Sequence, residues 1–337
     1  MTRMMTTRRD FAKLAAAALG TAAAAPKSLL AQAKPNSKFG GVQVGVISYS
    51  YRQMPGVNIP KILDWMVENG INACELENYQ EEWAGGPTNP IYKMLSTPMP
   101  PTADVNAFRA RMNTPEFKAQ MAQYKKDLTA FRTKVPMSKY AELKSMYAAK
   151  GVSIYAFKAS ITMDMADAEA DSIFNAAKAC GANQVTMEMP DGQPMLTKKI
   201  GEYALKHKMM VGYHAHLQAT PTTWDEAMAQ SPYNGINLDL GHFTAAGNGP
   251  DAALAFLKQN HAKITSMHMK DRKTKEHGEA NMPWGEGDTP ITQALQLMKA
   301  EHYTFPATIE LEYKLPKGSN AVKEVGKCLA YAKKALV

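Results

Sequence analysis

Residues 208–216 read KMMVGYHAH, and residues 235–243 read GINLDLGHF. Each is a short apolar run that ends in groups able to bind a cation: His214 and His216 in the first, Asp239 and His242 in the second. The first follows a helix-like stretch ending ALKHKM, and the same alternation continues in both directions. Toward the C-terminus come ITSMHMKDR (264–272) and PATIELEYK (306–314). Toward the N-terminus come ANQVTMEMP (182–190), VSIYAFKAS (152–160), INACELENY (71–79) and VQVGVISYS (42–50). Apolar and β-branched runs of this length, bounded by turn residues, are strand signals. Between most of them lies helix-period sequence such as ADSIFNAAKACG, where Gly181 suits a left-handed C-cap. Eight strands alternating with helices predict a parallel (β/α)8 TIM barrel. The alternative is a doubly wound open sheet. No G-x-G-x-x-G follows the first strand, which counts against a dinucleotide-binding version of it.

The 337 residues are 45% hydrophobic and 21% charged, an ordinary globular composition. Residues 1–33 read as a separate segment, with a basic start, an Ala/Leu run and an Ala31-Gln32-Ala33 end of the kind that follows export signals. Arg8-Arg9 followed by Asp10-Phe11-Ala12-Lys13 resembles the twin-arginine signal of bacterial export, which implies a periplasmic or exported protein. The Ala-rich run is too short and too weakly apolar to span a membrane, and no later segment approaches a span. This segment carries half of the net charge of +8, so residues 34–337 are only mildly basic and nucleic acid is not an expected partner. Cys74, Cys180 and Cys328 lack C-x-x-C spacing, which excludes a disulfide framework and a thiolate metal site; at most one disulfide could form. Residues 80–140 hold more chain than one crossover needs. WAGGPTNPIYKMLSTPMPP reads as a long loop, and TPEFKAQMAQYKKDLTAFRTK as a helix. An insertion after the second strand falls on the catalytic face of a barrel, so a lid is expected.

In such a barrel the chemistry sits at the C-terminal strand ends. Those ends carry Glu75 and Glu77, Lys158, Glu188, His214 and His216, Asp239 and His242, His268 with Lys270 and Asp271, and Glu310 with Glu312. Residues two apart on a strand share a face. So many ionisable groups on apolar strands need partners, and convergence on a divalent cation would satisfy several together. A His and carboxylate set without cysteine suits Mn²⁺, Zn²⁺, Co²⁺ or Mg²⁺. A dense lining of acids, histidines and amides fits a polyol better than an apolar ligand, with Tyr79, Trp83, Trp224 and Trp284 as stacking platforms.

INLDLGH, HMKD, WGEGD and TIELE resemble the xylose-isomerase-like TIM barrels, the sugar phosphate isomerase/epimerase family, and GYHAH resembles the GYHNH variant found there. The resemblance covers about residues 40–335 and is most specific over 211–312. It implies one divalent metal held at the ends of strands five to eight, where the family has Glu, Asp, His and Glu. Asp239, His268 and Glu310 match the last three. His214 stands where the first glutamate is usual, so either His214 ligates or Glu188 reaches across. A related endonuclease branch builds a multinuclear zinc cluster, but its D-x-H is Glu279-Ala280-Asn281 here and Lys158 replaces a zinc histidine.

The resemblance further implies a sugar isomerase or epimerase that moves a proton next to a carbonyl through a metal-stabilised enediolate. Glu310 and Glu188 are the expected acid/base pair. His216 would contact substrate hydroxyls or shuttle protons, and Lys270 would stabilise oxyanion charge. His242, Trp284, Lys158 and Glu77 are candidate substrate contacts. A lyase or hydrolase of 3-keto-glycosides and a non-catalytic sugar-binding barrel are the alternatives. The expected ligand is a small sugar, keto-sugar or glycoside, and a homo-oligomer is compatible with the sequence.

Overall fold

Strands of a parallel barrel are covered by helices outside and filled by side chains inside, so their sequences read as nearly unbroken apolar runs. The structure, a computed structural model, describes residues 34–95 and 110–337. The export-signal stretch 1–33 lies outside the described residues. The barrel strands are β1 (Val42–Ile47), β2 (Ala73–Leu76), β3 (Ser153–Lys158), β4 (Gln184–Glu188), β5 (Met210–His214), β6 (Asn234–Asp239), β7 (Ile264–Met269) and β8 (Ala307–Ile309). Each pairs in parallel with the next, and β8 pairs with β1 in the register Thr308↔Gly45. That last ladder closes the sheet, which makes the fold a (β/α)8 TIM barrel and excludes the open sheet. Each of the eight predicted runs overlaps one barrel strand, and β6 starts one residue ahead of its run, at Asn234.

The helices are α1 (Ile59–Asn69), α2 (Gln80–Trp83), α3 (Pro90–Leu95), α4 (Pro115–Arg132), α5 (Ser138–Ala149), α6 (Asp167–Cys180), α7 (Pro194–His207), α8 (Asp225–Gln230), α9 (Leu240–Phe243), α10 (Gly249–Asn260), α11 (Ile291–Ala300) and α12 (Ala321–Leu336). Gly181 ends α6 at φ 84°, with its N–H on the carbonyls of Ala177 and Lys178, as its position predicts. Among the described residues no helix is long and apolar enough to cross a membrane.

The β2–β3 connection differs in part from expectation. The Pro/Gly-rich stretch holds two short helices, α2 and α3. Asn89 starts the second by accepting the Ile91 N–H at 2.9 Å, ahead of Pro90 at the first helical position. Residues 96–109 lie outside the described part. The predicted helix is present as α4, capped by Thr114, whose hydroxyl accepts from Phe117 N–H at 3.2 Å. Phe117 and Leu128 of α4 are buried. Arg132 at its end meets Glu81 at 2.9 Å and Glu169 at 3.3 Å.

Two further readings are resolved, the first within its bound of at most one disulfide and the second against expectation. All three cysteines are buried and free. Trp224 is no stacking platform: it is 1% exposed, donates Nε1–H to the Tyr213 carbonyl at 2.8 Å and packs on Phe243 and Phe256.

Candidate metal centre

Alternation along the strands sends every second side chain into the barrel. Hydrogen bonds between strands that are not neighbours identify these residues, since such bonds must cross the interior. Glu75 of β2 accepts from Thr186 of β4 at 2.6 Å and meets His268 Nε2 of β7 at 2.8 Å. Tyr155 of β3 bonds Thr308 of β8, and Ser266 of β7 donates to Gln184 of β4 at 3.3 Å. One level higher, at the strand ends, stand His214, Asp239, His268 and Glu310. All four are buried, and one ligand-type atom of each lies within 4.8 Å of the others.

The inner layer sets how each of these groups is presented. Asn237 donates its Nδ2–H to Ser266 Oγ at 2.7 Å, so its Oδ1 faces His214 Nδ1 at 2.8 Å and accepts that N–H. His214 therefore keeps its Nε2 lone pair, and this atom is buried without a hydrogen-bond partner. Burial, with Lys158 and His268 nearby, holds the ring neutral. Asp239 accepts the His242 backbone N–H on Oδ1 at 2.7 Å, capping α9. Its Oδ2 lies 3.0 Å from the Lys270 ammonium and 3.9 Å from His214 Nε2. Burial pushes the Asp239 carboxyl up to about 6 against the pull of Lys270.

His268 is held at both ring nitrogens, by Glu75 at Nε2 and by Glu310 Oε2 at Nδ1, the latter at 3.0 Å. Burial alone would strip its charge, but the two carboxylates overcome burial and raise it to about 10. Burial likewise opposes the charge on Glu310, and Lys270 and His268 hold it well below the usual carboxylate range. The Lys270 ammonium lies 3.0 Å from Asp239 Oδ2, 2.7 Å from Glu310 Oε2 and 2.6 Å from Glu312 Oε2. It is 2% exposed and acts as an internal counter-ion for the acid cluster. Its stem needs Gly241, where a Cβ would come within 2.6 Å of the Lys270 carbonyl oxygen.

The donor set fits a divalent cation. The unpartnered His214 Nε2 faces Asp239 Oδ2, an oxygen paired with the Lys270 ammonium, and a histidine and a carboxylate stand beside them in the N/O combination that suits zinc, manganese or cobalt. His268 fits after loss of the Nδ1 proton, with Glu75 still holding Nε2–H in the carboxylate–histidine arrangement common at metal sites.

The other predicted site residues divide. Glu188 is brought to Lys158 Nζ at 2.7 Å and to His216 Nε2 at 3.5 Å, with about half of its side chain exposed at the mouth, and it stands apart from the four-residue cluster. His216 is half-exposed, and its ring lies 4.8 Å from His214 and 4.6 Å from His242. His242 is buried, with Nε2 3.8 Å from Glu312. Glu77 accepts from Tyr92 OH at 3.3 Å, and burial raises its pKa. Trp284 packs edge-on against Tyr331 of α12. Asp271 lies beneath the WGEGD loop, accepting the N–H groups of Gly285 at 2.8 Å, Gly287 at 2.9 Å and Thr289 at 3.2 Å.

Sequence reading gave no role to Glu75, Asn237, Arg272 or Glu312. A signal existed for Asn237: a polar side chain two residues before a strand-end acid, on a run otherwise apolar, shares the inward face.

No curated protein sequence matches the chain. Solved structures resemble it over most of their length. A sugar phosphate isomerase/epimerase from Parabacteroides distasonis is 14% identical, with a TM-score of 0.56 over 88% of this chain and 96% of that one. The 3-keto-D-glucoside 4-epimerase of E. coli is 11% identical, with a TM-score of 0.56 over 87% and 99%. A xylose isomerase-like TIM barrel protein from Mycobacterium smegmatis, solved in complex with magnesium, is 12% identical, with a TM-score of 0.52 over 88% and 96%. At these identities the likeness establishes the fold alone. The family model described as xylose isomerase-like TIM barrel matches residues 120–331, well over half of the chain. The protein belongs to the xylose isomerase-like TIM barrel family.

Proposed function

We propose that this chain is a divalent-metal-dependent sugar isomerase or epimerase that moves a proton at a carbon next to a carbonyl. The observation that carries the reading is His214 Nε2, buried without a hydrogen-bond partner and 3.9 Å from Asp239 Oδ2, an oxygen paired with the Lys270 ammonium, beside His268 and Glu310. Burying the His214 nitrogen without a partner costs on the order of 1–3 kcal/mol, a cost that a cation would remove. His214, Asp239, His268 and Glu310 would hold it. When bound, the cation supplies Lewis-acid polarisation of the substrate carbonyl.

The chain's own residues supply the rest. Glu188, paired with Lys158 but half-exposed at the barrel mouth, is placed to take a proton from an approaching carbon acid. Glu310 is the second carboxylate for return of the proton. Lys270 offers positive charge where negative charge develops on oxygen. His216 sits at the rim as a contact for sugar hydroxyls, beside the Glu188–Lys158 pair, and Glu77 is a further candidate contact. The similar structures of a sugar phosphate isomerase/epimerase and a 3-keto-D-glucoside 4-epimerase support a keto-sugar or its glycoside as substrate. The twin-arginine resemblance at residues 1–33 supports export, which favours unphosphorylated substrates.

The test is solvent-deuterium incorporation into keto-sugars, inososes and 3-keto-glucosides by protein loaded with Mn²⁺, Co²⁺ or Zn²⁺. The proposal requires exchange at a carbon next to the carbonyl, lost on chelation and restored by metal. Metal-loaded protein that exchanges none of these carbons would refute it. Release of the aglycone with exchange would identify the lyase on the same barrel.

A further inference from the structure

His214, His216 and His242 form a second group of ligand-type side chains, with one ring nitrogen of each within 4.8 Å of the others. Three histidines at a barrel mouth look like a zinc site. The hydrogen bonding around His242 says otherwise. Its Nδ1 lies 3.1 Å from Arg272 NH1. A guanidinium has only donors, so His242 Nδ1 must accept and its neutral ring must carry the proton on Nε2. A ring so arranged has no lone pair to offer a cation: one nitrogen is blocked by Arg272 and the other bears hydrogen.

Arg272 is itself firmly placed. Its backbone N–H donates to Thr289 Oγ1 at 3.0 Å, and its NH2 donates to the carbonyl of Glu279 at 2.6 Å. Glu279 adopts φ 59°, a left-handed conformation uncommon for a non-glycine residue, and the turn there aims that carbonyl inward. None of these partners is a carboxylate, so the guanidinium keeps its full charge beside His242 and repels a second cation there.

We infer that Arg272 is a positioning residue that locks His242 as a neutral Nε2–H donor, and so keeps the three-histidine group free of metal while aiming a hydrogen-bond donor at the site. The contrast with His214 is direct. Asn237 accepts from His214 Nδ1 and frees the Nε2 lone pair for a metal; Arg272 donates to His242 Nδ1 and leaves Nε2 with a proton. Rings 6.0 Å apart are thereby given opposite roles. The use of that donor on a substrate oxygen rests on the sugar isomerase reading, but the tautomer and the metal count do not.

Both are read without substrate. Long-range ¹H–¹⁵N spectra of the full chain labelled at histidine, assigned by loss of one ring in His242→Gln, report the tautomer. The wild type should show His242 as Nε2–H and bind one equivalent of Zn²⁺ or Co²⁺ tightly. Arg272→Met should release the ring to the Nδ1–H form and admit a second equivalent on His216 and His242, since His214 Nε2 is taken by the first, seen with Co²⁺ as new visible absorption. That absorption should vanish in Arg272→Met with His216→Ala, and Arg272→Lys, whose ammonium also only donates, should restore the single equivalent. An Nδ1–H pattern in the wild type, or a second wild-type equivalent abolished by His216→Ala, overturns the inference; both are measurable if Arg272→Met fails to fold. Failure of isomerase activity with these results intact would refute the proposed function alone.

Discussion

Lys270→Met tests the counter-ion reading of the acid cluster most directly. In the metal-free protein the Lys270 ammonium lies within 3.0 Å of three carboxylates, Asp239, Glu310 and Glu312. Methionine keeps most of the stem's volume and removes the charge. Breaking a buried ion pair by deleting one partner costs about 3–5 kcal/mol. At roughly 2–4 °C for each kcal/mol, the metal-free variant should melt about 6–20 °C below the wild type. A divalent cation in the same cluster replaces the missing charge, so saturating metal should raise the variant's Tm by more than it raises that of the wild type. The cation also no longer competes with an ammonium. A divalent cation and an ammonium about 4 Å apart at an effective dielectric of about 20 repel by about 8 kcal/mol. Even with most of that lost to relaxation and to repulsion among the freed carboxylates, metal binding should tighten about 10–100-fold. Scanning calorimetry with and without Mn²⁺ or Zn²⁺, together with titration calorimetry, measures both effects. Equal metal-free melting temperatures with equal or weaker metal affinity in the variant would refute the counter-ion role.

Other expectations follow from neighbouring residues. Asp239→Asn keeps an acceptor for the His242 N–H but removes a charged ligand, so metal affinity should fall at least about tenfold in titration calorimetry while helix content is unchanged. Metal must displace the Nδ1 proton of His268, whose pKa is raised to about 10, so loading near pH 7 should release about one proton, read from heats in buffers of different ionisation enthalpy. Because that pKa is raised above the unfolded value of about 6.5, its stabilisation of the metal-free protein is full below pH 6.5 and is lost as pH rises through about 10; metal-loaded protein should not show this alkaline loss in Tm. Asp288 runs the other way: hydrogen bonds from Thr274 N–H and His277 depress it to about 2, so its contribution is present above pH 3.8 and disappears as pH falls through 2, and Asp288→Asn should flatten that part of the acid-unfolding profile. Asp271→Asn replaces one acceptor oxygen beneath the WGEGD loop by a donor and should destabilise the protein by about 1–3 kcal/mol in urea unfolding.

The eight strands were legible because a barrel strand is apolar on both faces and alternates with helices of a different period. The short helices α2 and α3 were not, since Pro and Gly around 85–90 signal a loop and each helix is only one to two turns long, α3 with a local cap from Asn89. The cluster His214, Asp239, His268 and Glu310 emerged from a single rule, ionisable groups at successive strand ends. That rule placed Glu188 beside His214 in register, Glu188↔His214, but gave no sign that Lys158 would engage its carboxylate. Trp224 misled because an indole in a loop looks available, and only packing shows its N–H committed to Tyr213. The direction of a histidine's hydrogen bonds lay furthest from the sequence. Nothing near His242 in the chain announces Arg272, 30 residues later, as the group that decides which nitrogen carries its proton.

The ladder between β8 and β1 also fixes when the site can come into being. Glu75 is made early in synthesis and Glu310 among the last residues, yet both grip the same imidazole, His268. Until the final strand docks, His268 lacks one of its two carboxylates and Lys270 lacks Glu310 and Glu312. The pairing joins residues more than 250 positions apart, which makes it a slow, late event in folding. A nascent chain stalled before residue 307 therefore holds three ligand side chains but no finished cage. Completion of the ligand set is thus timed to the end of folding.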